Sequence, residues 1–177
     1  MVTGLREFLD SVAGARLDIA AAGHLQAELA RLTAGLTPLQ VDEVDRSWGR
    51  WLDEPGRAQA LVPSWTMRVE GHEMHGAVKF GRFHVGENLV AHGGAVCALF
   101  DDVLGHFLAR TGLPPARTAY LHTNFRSVTP LDVDLVFRAQ VDRVEGRKRF
   151  LSATLHHGDV LCADADGLWV ELKDGQP

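Results

Sequence analysis

The sequence predicts an α+β fold in which an antiparallel sheet wraps around one helix. Two observations carry this prediction. From Ser64 onwards, apolar and polar residues alternate with a period of two along most of the chain, as in half-buried strands. One amphipathic segment, 93–110, interrupts the alternation, and its apolar residues recur at helical spacing. The predicted order of elements in this part of the chain is therefore two strands, one helix and four strands.

The composition limits the classes of function. The chain has 177 residues, of which 46% are hydrophobic, which suits one folded domain with an appendage. A net charge of −5 gives no electrostatic footprint for nucleic acid or an anionic membrane, so we expect neither as a partner. No apolar run reaches the roughly 18 residues of a spanning helix, and the first residues lack a signal-peptide core. Two cysteines are too few for a disulfide scaffold or a structural zinc site. We expect a cytoplasmic protein that binds no metal.

The first part of the chain, 1–60, predicts a helical extension of a domain at 61–177. Apolar residues recur at helical spacing, but Gly14 and Gly23 interrupt them, which favours two or three short helices over one rod. The extension shows no catalytic grouping. We expect it to pack on the domain that follows or on a partner subunit.

The remaining elements follow in order along the chain. The helical pattern continues over 42–51, and DEPGR at 53–57 predicts a turn. A Gly-containing turn between 64–70 and 74–80 predicts a hairpin. Asp132, the Glu145-Gly146 pair and the Gly158-Asp159 pair separate the later β-rich runs. The predicted strands are 64–70, 74–80, about 117–128, 132–143, 148–157 and 160–172.

Two carboxylates interrupt the apolar face of the predicted helix 93–110. On a helical wheel Asp102 lies on the far side, where a solvated acid costs nothing. Asp101 lies at the edge of the apolar stripe, where an ionised carboxylate costs several kcal/mol unless it is paired or functional. Gly105, one turn further on, leaves an open notch beside Asp101. The alternative interpretation is an exposed acid beside a packing glycine.

The start of the same helix suits the binding of negative charge. His92, Gly93 and Gly94 directly precede the apolar run. Glycines let another group approach the backbone closely, and the first N–H groups of a helix are unpaired donors at the positive end of its dipole. Such donors can stabilise an oxyanion that develops during a reaction. A glycine pair at a helix start is otherwise an ordinary turn.

These residues carry a resemblance to a known family. The stretch HGGAVCALFDDVLG, 92–105, resembles the HGG-x6-D/E signature of hotdog-fold acyl-CoA thioesterases, in the phenylacetate-pathway and 4-hydroxybenzoyl-CoA thioesterase-like branch. The later stretch TAYLHTNFRSVTPLD, 118–132, is similar to the strand that follows the central helix in that family. The resemblance covers about 61–177. It implies a hotdog fold and the hydrolysis of an acyl-CoA to a free acid and coenzyme A. No cofactor is expected, because a thioester is already an activated acyl donor.

The resemblance also implies roles for individual residues. Asp101 would be the catalytic carboxylate, either a general base that activates water or a nucleophile. The Gly93 N–H would be the oxyanion donor, and His92 would position that loop or touch the thioester oxygen. Thr118 matches a hydroxyl residue that orients the water or the carboxylate in some members. Asn88 is a candidate substrate-binding residue, although it departs from the pattern, since many members have an amide side chain further before the histidine; the alternative is a loop or turn residue.

Other residues are candidates for substrate binding. Gly94 allows close approach of the backbone, and Gly105 provides the notch described above. Arg147 and Lys148 lie in the basic run at 143–149, which could hold the phosphates of coenzyme A at the mouth of a pocket. The alternative is a hairpin tip with solvated charges.

Chain length adds a constraint on assembly. Gly93 and Asp101 are eight residues apart, which is about 12 Å along one helix. A donor and an attacking group that act on one carbonyl must both lie about 3 Å from it. The two residues can therefore cooperate only if they come from different subunits. The sequence predicts a homodimer or a dimer of dimers with composite sites.

Two other functions remain open at this stage. A hydratase or dehydratase of the same fold would act on enoyl or hydroxyacyl thioesters. A non-catalytic acyl-CoA sensor would keep the pocket without the reaction. The acyl group, the pathway within lipid metabolism and the choice between base and nucleophile for Asp101 are not fixed by the sequence.

Overall fold

The computed structural model describes residues 1–46, 59–173 and 175–176. The helices are α1 (Val2–Gly14), α2 (Ile19–Leu36) and α3 (Gly93–Arg110), and the strands are β1 (Trp65–Glu70), β2 (Glu73–Val78), β3 (Ala116–Phe125), β4 (Leu135–Glu145), β5 (Lys148–His157) and β6 (Val160–Glu171). The predicted order of two strands, one helix and four strands is confirmed. The turn predicted at 53–57 lies outside the described residues. In the segment 42–51 the described part holds a short 3-10 helix, Glu43–Asp45.

The six strands form one antiparallel sheet in the order β1-β2-β4-β5-β6-β3. Tight turns join β4 to β5 and β5 to β6. Gly146 and Gly158 have φ of 55° and 56° there, a conformation that glycine adopts without the cost that a Cβ brings. Among the described strands, β3 pairs only with β6. One side of β3 is therefore a free edge of backbone N–H and C=O groups.

The core lies between α3 and one face of the sheet. Along β5 burial alternates residue by residue, which places every second side chain against the helix. Each large apolar side chain that is fully buried stabilises the fold by about 1.5–3 kcal/mol before the entropic cost of ordering it. The buried apolar residues of α3 are Val96, Leu99, Phe100, Val103, Leu104, Phe107 and Leu108.

The extension forms two helices within the described residues. α1 packs against the 3-10 turn Arg82–His84, where the Asp10 carboxylate accepts a hydrogen bond of 2.7 Å from the Phe83 N–H. α2 begins at Asp18, whose side chain accepts from the Ala21 N–H, and it buries none of its residues. The predicted break at Gly23 is wrong, because Gly23 lies inside α2. The alanines and leucines around it offset a glycine penalty of about 1 kcal/mol.

No helix in the described ranges combines the length and the apolar composition needed to cross a membrane.

Candidate active site

The first turn of α3 is organised by His92. His92 is the N-cap of the helix, and its Nδ1 accepts a hydrogen bond of 2.9 Å from the Gly94 N–H. Its own backbone is fixed from the other side, since the His92 N–H donates to the His84 carbonyl over 2.8 Å. A Cβ at position 94 would lie 3.0 Å from Nδ1 of His92. Glycine at this position therefore lets the imidazole reach the backbone.

Gly93 provides the other backbone N–H donor in the first turn of α3. Its N–H makes no hydrogen bond with any residue that the structure describes, whereas the N–H of Gly94 is bound by His92. A Cβ at position 93 would lie 3.1 Å from Cζ of Phe125. The ring of Phe125 thus packs directly on this glycine, and Phe125 as a whole residue is 56% exposed. An unused N–H at the positive end of a helix beside an aromatic wall is suited to a polarised carbonyl oxygen.

Asp101 lies two turns further along α3, on the side of β3. Its Oδ1 accepts a hydrogen bond of 2.9 Å from the Thr118 hydroxyl. Both residues are exposed in the single chain. The structure therefore brings Asp101 and Thr118 together, while Asp101 remains open to water and to a substrate.

Asp102 corrects the helical wheel. The expectation that Asp102 faces solvent is wrong, since it is only 8% exposed. The Trp65 indole N–H donates to its Oδ2 over 3.0 Å, and its charge acts on Arg6 of α1. Burial lowers the pKa of the Arg6 guanidinium, and the Asp102 carboxylate opposes that shift. The wheel considered α3 alone, whereas Trp65 of β1 and the charge of Arg6 reach Asp102 from distant parts of the chain.

In the basic turn between β4 and β5, called the basic tip below, two of the basic side chains bind within the fold. The Arg147 guanidinium donates two hydrogen bonds, of 3.0 and 2.6 Å, to the Glu171 carbonyl at the end of β6. Arg149 is 3% exposed and forms an ion pair with the Glu171 carboxylate. Lys148 is exposed. It stands opposite Val170, which stands opposite Arg117 of β3, so the basic tip lies at the same end of the sheet as Thr118.

The remaining candidates lie apart from these pairs. Gly105 is half-buried in α3, and Asn88 is exposed in the turn before His92. Within one chain Gly93 and Asp101 are not brought together, because they lie on one continuous helix at a separation of about 12 Å. No group of three His, Cys, Asp or Glu side chains converges as a metal site within 1–46, 59–173 and 175–176.

Sequence reasoning missed several residues around the site. His84 is only 8% exposed, and the rings of Phe80 and Phe83 contact its imidazole edge-on. Burial lowers the pKa of His84, with Asp10 opposing the shift. A histidine in a short polar segment carries no sequence signal of burial. The contacts of Arg6 and Trp65 were not predictable from the sequence either, because the groups that bind them are distant along the chain.

The comparisons with known proteins fall on the part of the chain that carries the site. The model of the thioesterase superfamily matches residues 89–163. Among curated proteins, the chain is similar to acyl-coenzyme A thioesterase THEM4 of Bos taurus, with 39% identity over 46% of this chain and 33% of that protein. It is 33% identical to the Pseudomonas aeruginosa protein PA0474 over 52% of this chain and 71% of that protein. The chain therefore spans about a third of the length of the bovine relative.

The solved structures agree in fold. The crystal structure of RHA08564, a thioesterase superfamily protein, has a TM-score of 0.81 and 23% identity, and covers 96% of this chain and 88% of that chain. The likeness therefore extends to most of the extension as well as the sheet and central helix. The sheet, the helix and the matched sequence lead to one conclusion: the chain adopts the hotdog fold and belongs to the thioesterase superfamily.

Proposed function

We propose that the chain hydrolyses an acyl-CoA thioester to a free acid and coenzyme A. The observation that carries the proposal is the arrangement on α3. The helix offers an unused N–H at Gly93 and, two turns on, an exposed carboxylate that is hydrogen-bonded to Thr118. The relatives named acyl-coenzyme A thioesterases support this substrate class.

The chemistry requires one base and one oxyanion donor. In the general-base route, Asp101 takes a proton from water as the water oxygen bonds to the thioester carbon. The Gly93 N–H stabilises the negative charge on the carbonyl oxygen. When the tetrahedral intermediate collapses, the C–S bond breaks and the coenzyme A thiolate leaves, taking up a proton. In the nucleophilic route, the Asp101 carboxylate bonds to the thioester carbon and the C–S bond breaks, so that coenzyme A leaves as a thiolate. Water then cleaves the mixed anhydride to the free acid and restores Asp101.

The two groups act together in a homodimer. Gly93 of one chain and Asp101 of the other would face the same thioester, so each dimer has two composite sites. Support comes from the free edge of β3, which lies beside Asp101 through Thr118. Pairing of that edge with the same edge of a second copy would satisfy its backbone groups and close a two-fold interface.

The basic tip would bind the phosphates of coenzyme A. Lys148 is the stronger candidate there, because Arg147 is already bound to the Glu171 carbonyl. Arg117, two strands away in the same row, can contribute a second positive charge. The thioester would then extend from this end of the sheet toward Thr118 and Asp101.

A thiol-release assay tests the proposed reaction. Purified protein is given a panel of aliphatic and aromatic acyl-CoAs, and free thiol is followed with DTNB. Saturable release on at least one thioester is expected. A parallel assay of enoyl-CoA absorbance measures hydration. Hydration without thiol release would favour a hydratase, and tight binding without either reaction would favour a sensor.

Mixed dimers test the composite sites. Asp101→Ala and Gly93→Val chains are each expected to be inactive as homodimers. Mixing them under conditions of subunit exchange should restore about a quarter of the wild-type activity, because half the dimers are mixed and each mixed dimer has one intact site. Failure to recover activity, with exchange shown by mass spectrometry, would contradict the shared site.

A further inference from the structure

The turn before His92 has an unusual residue at one position. In Glu87–Val90 the Val90 N–H donates to the Glu87 carbonyl over 3.4 Å, and the two central residues, Asn88 and Leu89, have φ of 56° and 60°. Positive φ at both central positions is the signature of a type I′ turn, for which Asn-Gly is strongly preferred. Here asparagine takes the first position, but leucine occupies the place that favours glycine.

Nothing local compensates for leucine in this conformation. A left-handed backbone crowds the Cβ of any residue other than glycine. The Leu89 side chain is 80% exposed, so its placement buries little apolar surface within the chain. Strained conformations persist where the surrounding structure enforces them, and they cluster at functional sites. A large apolar side chain that is both strained and exposed indicates a contact that the isolated chain does not contain.

The surrounding backbone holds Leu89 in place. The Gly86 N–H donates to the Val90 carbonyl, and the Ala91 N–H donates to the Thr129 carbonyl, each over 2.8 Å. These bonds flank the turn on both sides. Leu89 is therefore presented at a fixed position four residues before Gly93, close in sequence to the free oxyanion donor.

Phe125 contributes apolar surface next to Gly93. The Phe125 ring packs on Gly93 and the residue as a whole is half exposed, while the charged groups that suit coenzyme A lie at the β4–β5 tip. A thioester bound at Gly93 has its polar carrier on one side of the carbonyl and its acyl group on the other. In the composite site the carrier lies at the basic tip of the chain that supplies Asp101, and the acyl group extends toward Phe125 and Leu89 of the chain that supplies Gly93.

We propose that Leu89 contacts the acyl chain and sets which acyl groups are preferred. The inference rests on the proposed thioesterase function and adds a specificity-determining residue to it. Leucine at this position trades stability of the turn for an apolar contact with substrate. Acyl groups long enough to reach Leu89 gain binding that shorter groups do not.

Two substitutions at position 89 separate the effect of the apolar side chain from the effect of the strained backbone. Leu89→Ala and Leu89→Gly both remove the apolar contact, and only glycine also relieves the positive φ. Both variants are expected to lower the kcat/KM ratio of the preferred acyl-CoA to acetyl-CoA by about tenfold, a typical effect of lost apolar contact. Leu89→Gly should have a higher Tm than Leu89→Ala, by roughly 2–4 °C.

Asp132 provides the matched control. It also has positive φ, 58°, and lies near the turn, since Val90 bridges to Pro130. Asp132→Gly is expected to leave the acyl preference unchanged. An acyl preference within twofold of wild type in both Leu89 variants would overturn the inference. So would a shift in preference accompanied by dissociation of the dimer in light scattering, which would assign Leu89 to the subunit interface. Hydrolysis of no acyl-CoA by the wild-type chain would instead sink the proposed function itself.

Discussion

Asp101 is exposed and makes one hydrogen bond with the residues that the structure describes, so a substitution there should affect the proposed catalysis much more than the stability of the fold. Asp101→Asn is expected to lower kcat by more than a hundredfold, because the amide cannot take a proton from water or attack the thioester. The Tm should change little, since the residue is exposed and its bond to Thr118 is made at the surface. Steady-state kinetics and thermal unfolding measure the two effects.

Asp134→Asn is the control for Asp101. Asp134 is an exposed acid paired with Lys79, and its substitution should preserve turnover. Near-normal turnover in Asp101→Asn on the best thioester would refute its catalytic role.

The Phe125 ring that packs on Gly93 leaves little room for a side chain at position 93. Gly93→Ala places a methyl group 3.1 Å from Phe125, so either the ring or the start of the helix must move. Loss of one aligned oxyanion donor typically lowers kcat by about 10²–10³-fold. The double variant Gly93→Ala, Phe125→Ala removes the clash and should recover part of the rate. Equal kcat values in single and double variants would show that sterics at Phe125 are not the cause.

His84 predicts a pH dependence of stability. Because burial lowers its pKa in the folded chain, the unfolded chain binds a proton first as the pH falls below the ordinary histidine value of about 6.5. The free energy of unfolding should therefore decrease from about pH 6.5 downwards until the folded-state pKa is reached. Urea unfolding at several pH values should show a smaller decrease in this range for His84→Leu than for wild type. His157→Gln, at an exposed position, should retain the wild-type slope.

At the scale of elements, one buried carboxylate connects three of them. Asp102 of α3 accepts a hydrogen bond from Trp65 of β1 and lies within the electrostatic reach of Arg6 of α1. Arg6 in turn donates to the Gln59 and Val62 carbonyls, which lie just before β1. Arg6 therefore connects the extension to the segment that leads into β1 and lies within the electrostatic reach of the carboxylate that β1 binds.

The substitution Trp65→Phe tests this connection. It keeps an aromatic ring but removes the donor to Asp102, and loss of a partner to a buried polar group costs about 1–3 kcal/mol. Some loss of packing adds to the cost. Trp65→Phe in an Asp102→Asn background should cost less than in the wild type, because the charged acceptor is gone. Additive costs of the two substitutions in urea unfolding would contradict the coupling.

Predictability from sequence also varies by element. The bounds of α3 were predictable, because an apolar stripe begins directly after a glycine pair and ends near Arg110. The turns at Gly146 and Gly158 were also predictable from local sequence, because a glycine beside an acidic residue separates two β-rich runs at each place. The continuity of α2 through Gly23 was not predictable. A glycine has the same low helix propensity whether it ends a helix or lies inside one, so the sequence does not distinguish the two cases. Asp102 was misplaced because its cover comes from Arg6 and Trp65, far away along the chain.

The candidate site was only partly predictable. The sequence correctly placed His92 directly before α3 and Asp101 about two turns into it. The contact between Thr118 and Asp101 fits the role that the family resemblance implied for Thr118. The basic tip was less informative, because sequence does not distinguish Arg147, bound to a carbonyl, from the exposed Lys148. The turn at Leu89 was invisible, since positive φ at a leucine has no signature in composition or periodicity.

For the whole molecule, function and association should be linked through the free edge of β3. If each site uses Gly93 of one chain and Asp101 of the other, a dissociated chain has no complete site. Specific activity should therefore fall on dilution in step with the fraction of dimer measured by sedimentation or light scattering. Constant specific activity through a transition to monomer would contradict the composite site.

The hydrogen bond from the Gly94 N–H to Nδ1 of His92 has a consequence for the imidazole itself. An acceptor nitrogen carries no proton, so the neutral ring holds its hydrogen on Nε2. The Nε2–H group of His92 is then a hydrogen-bond donor, and in this tautomer Nε2 cannot act as a base. In a reaction at Gly93 this tautomer would offer the carbonyl oxygen a second N–H.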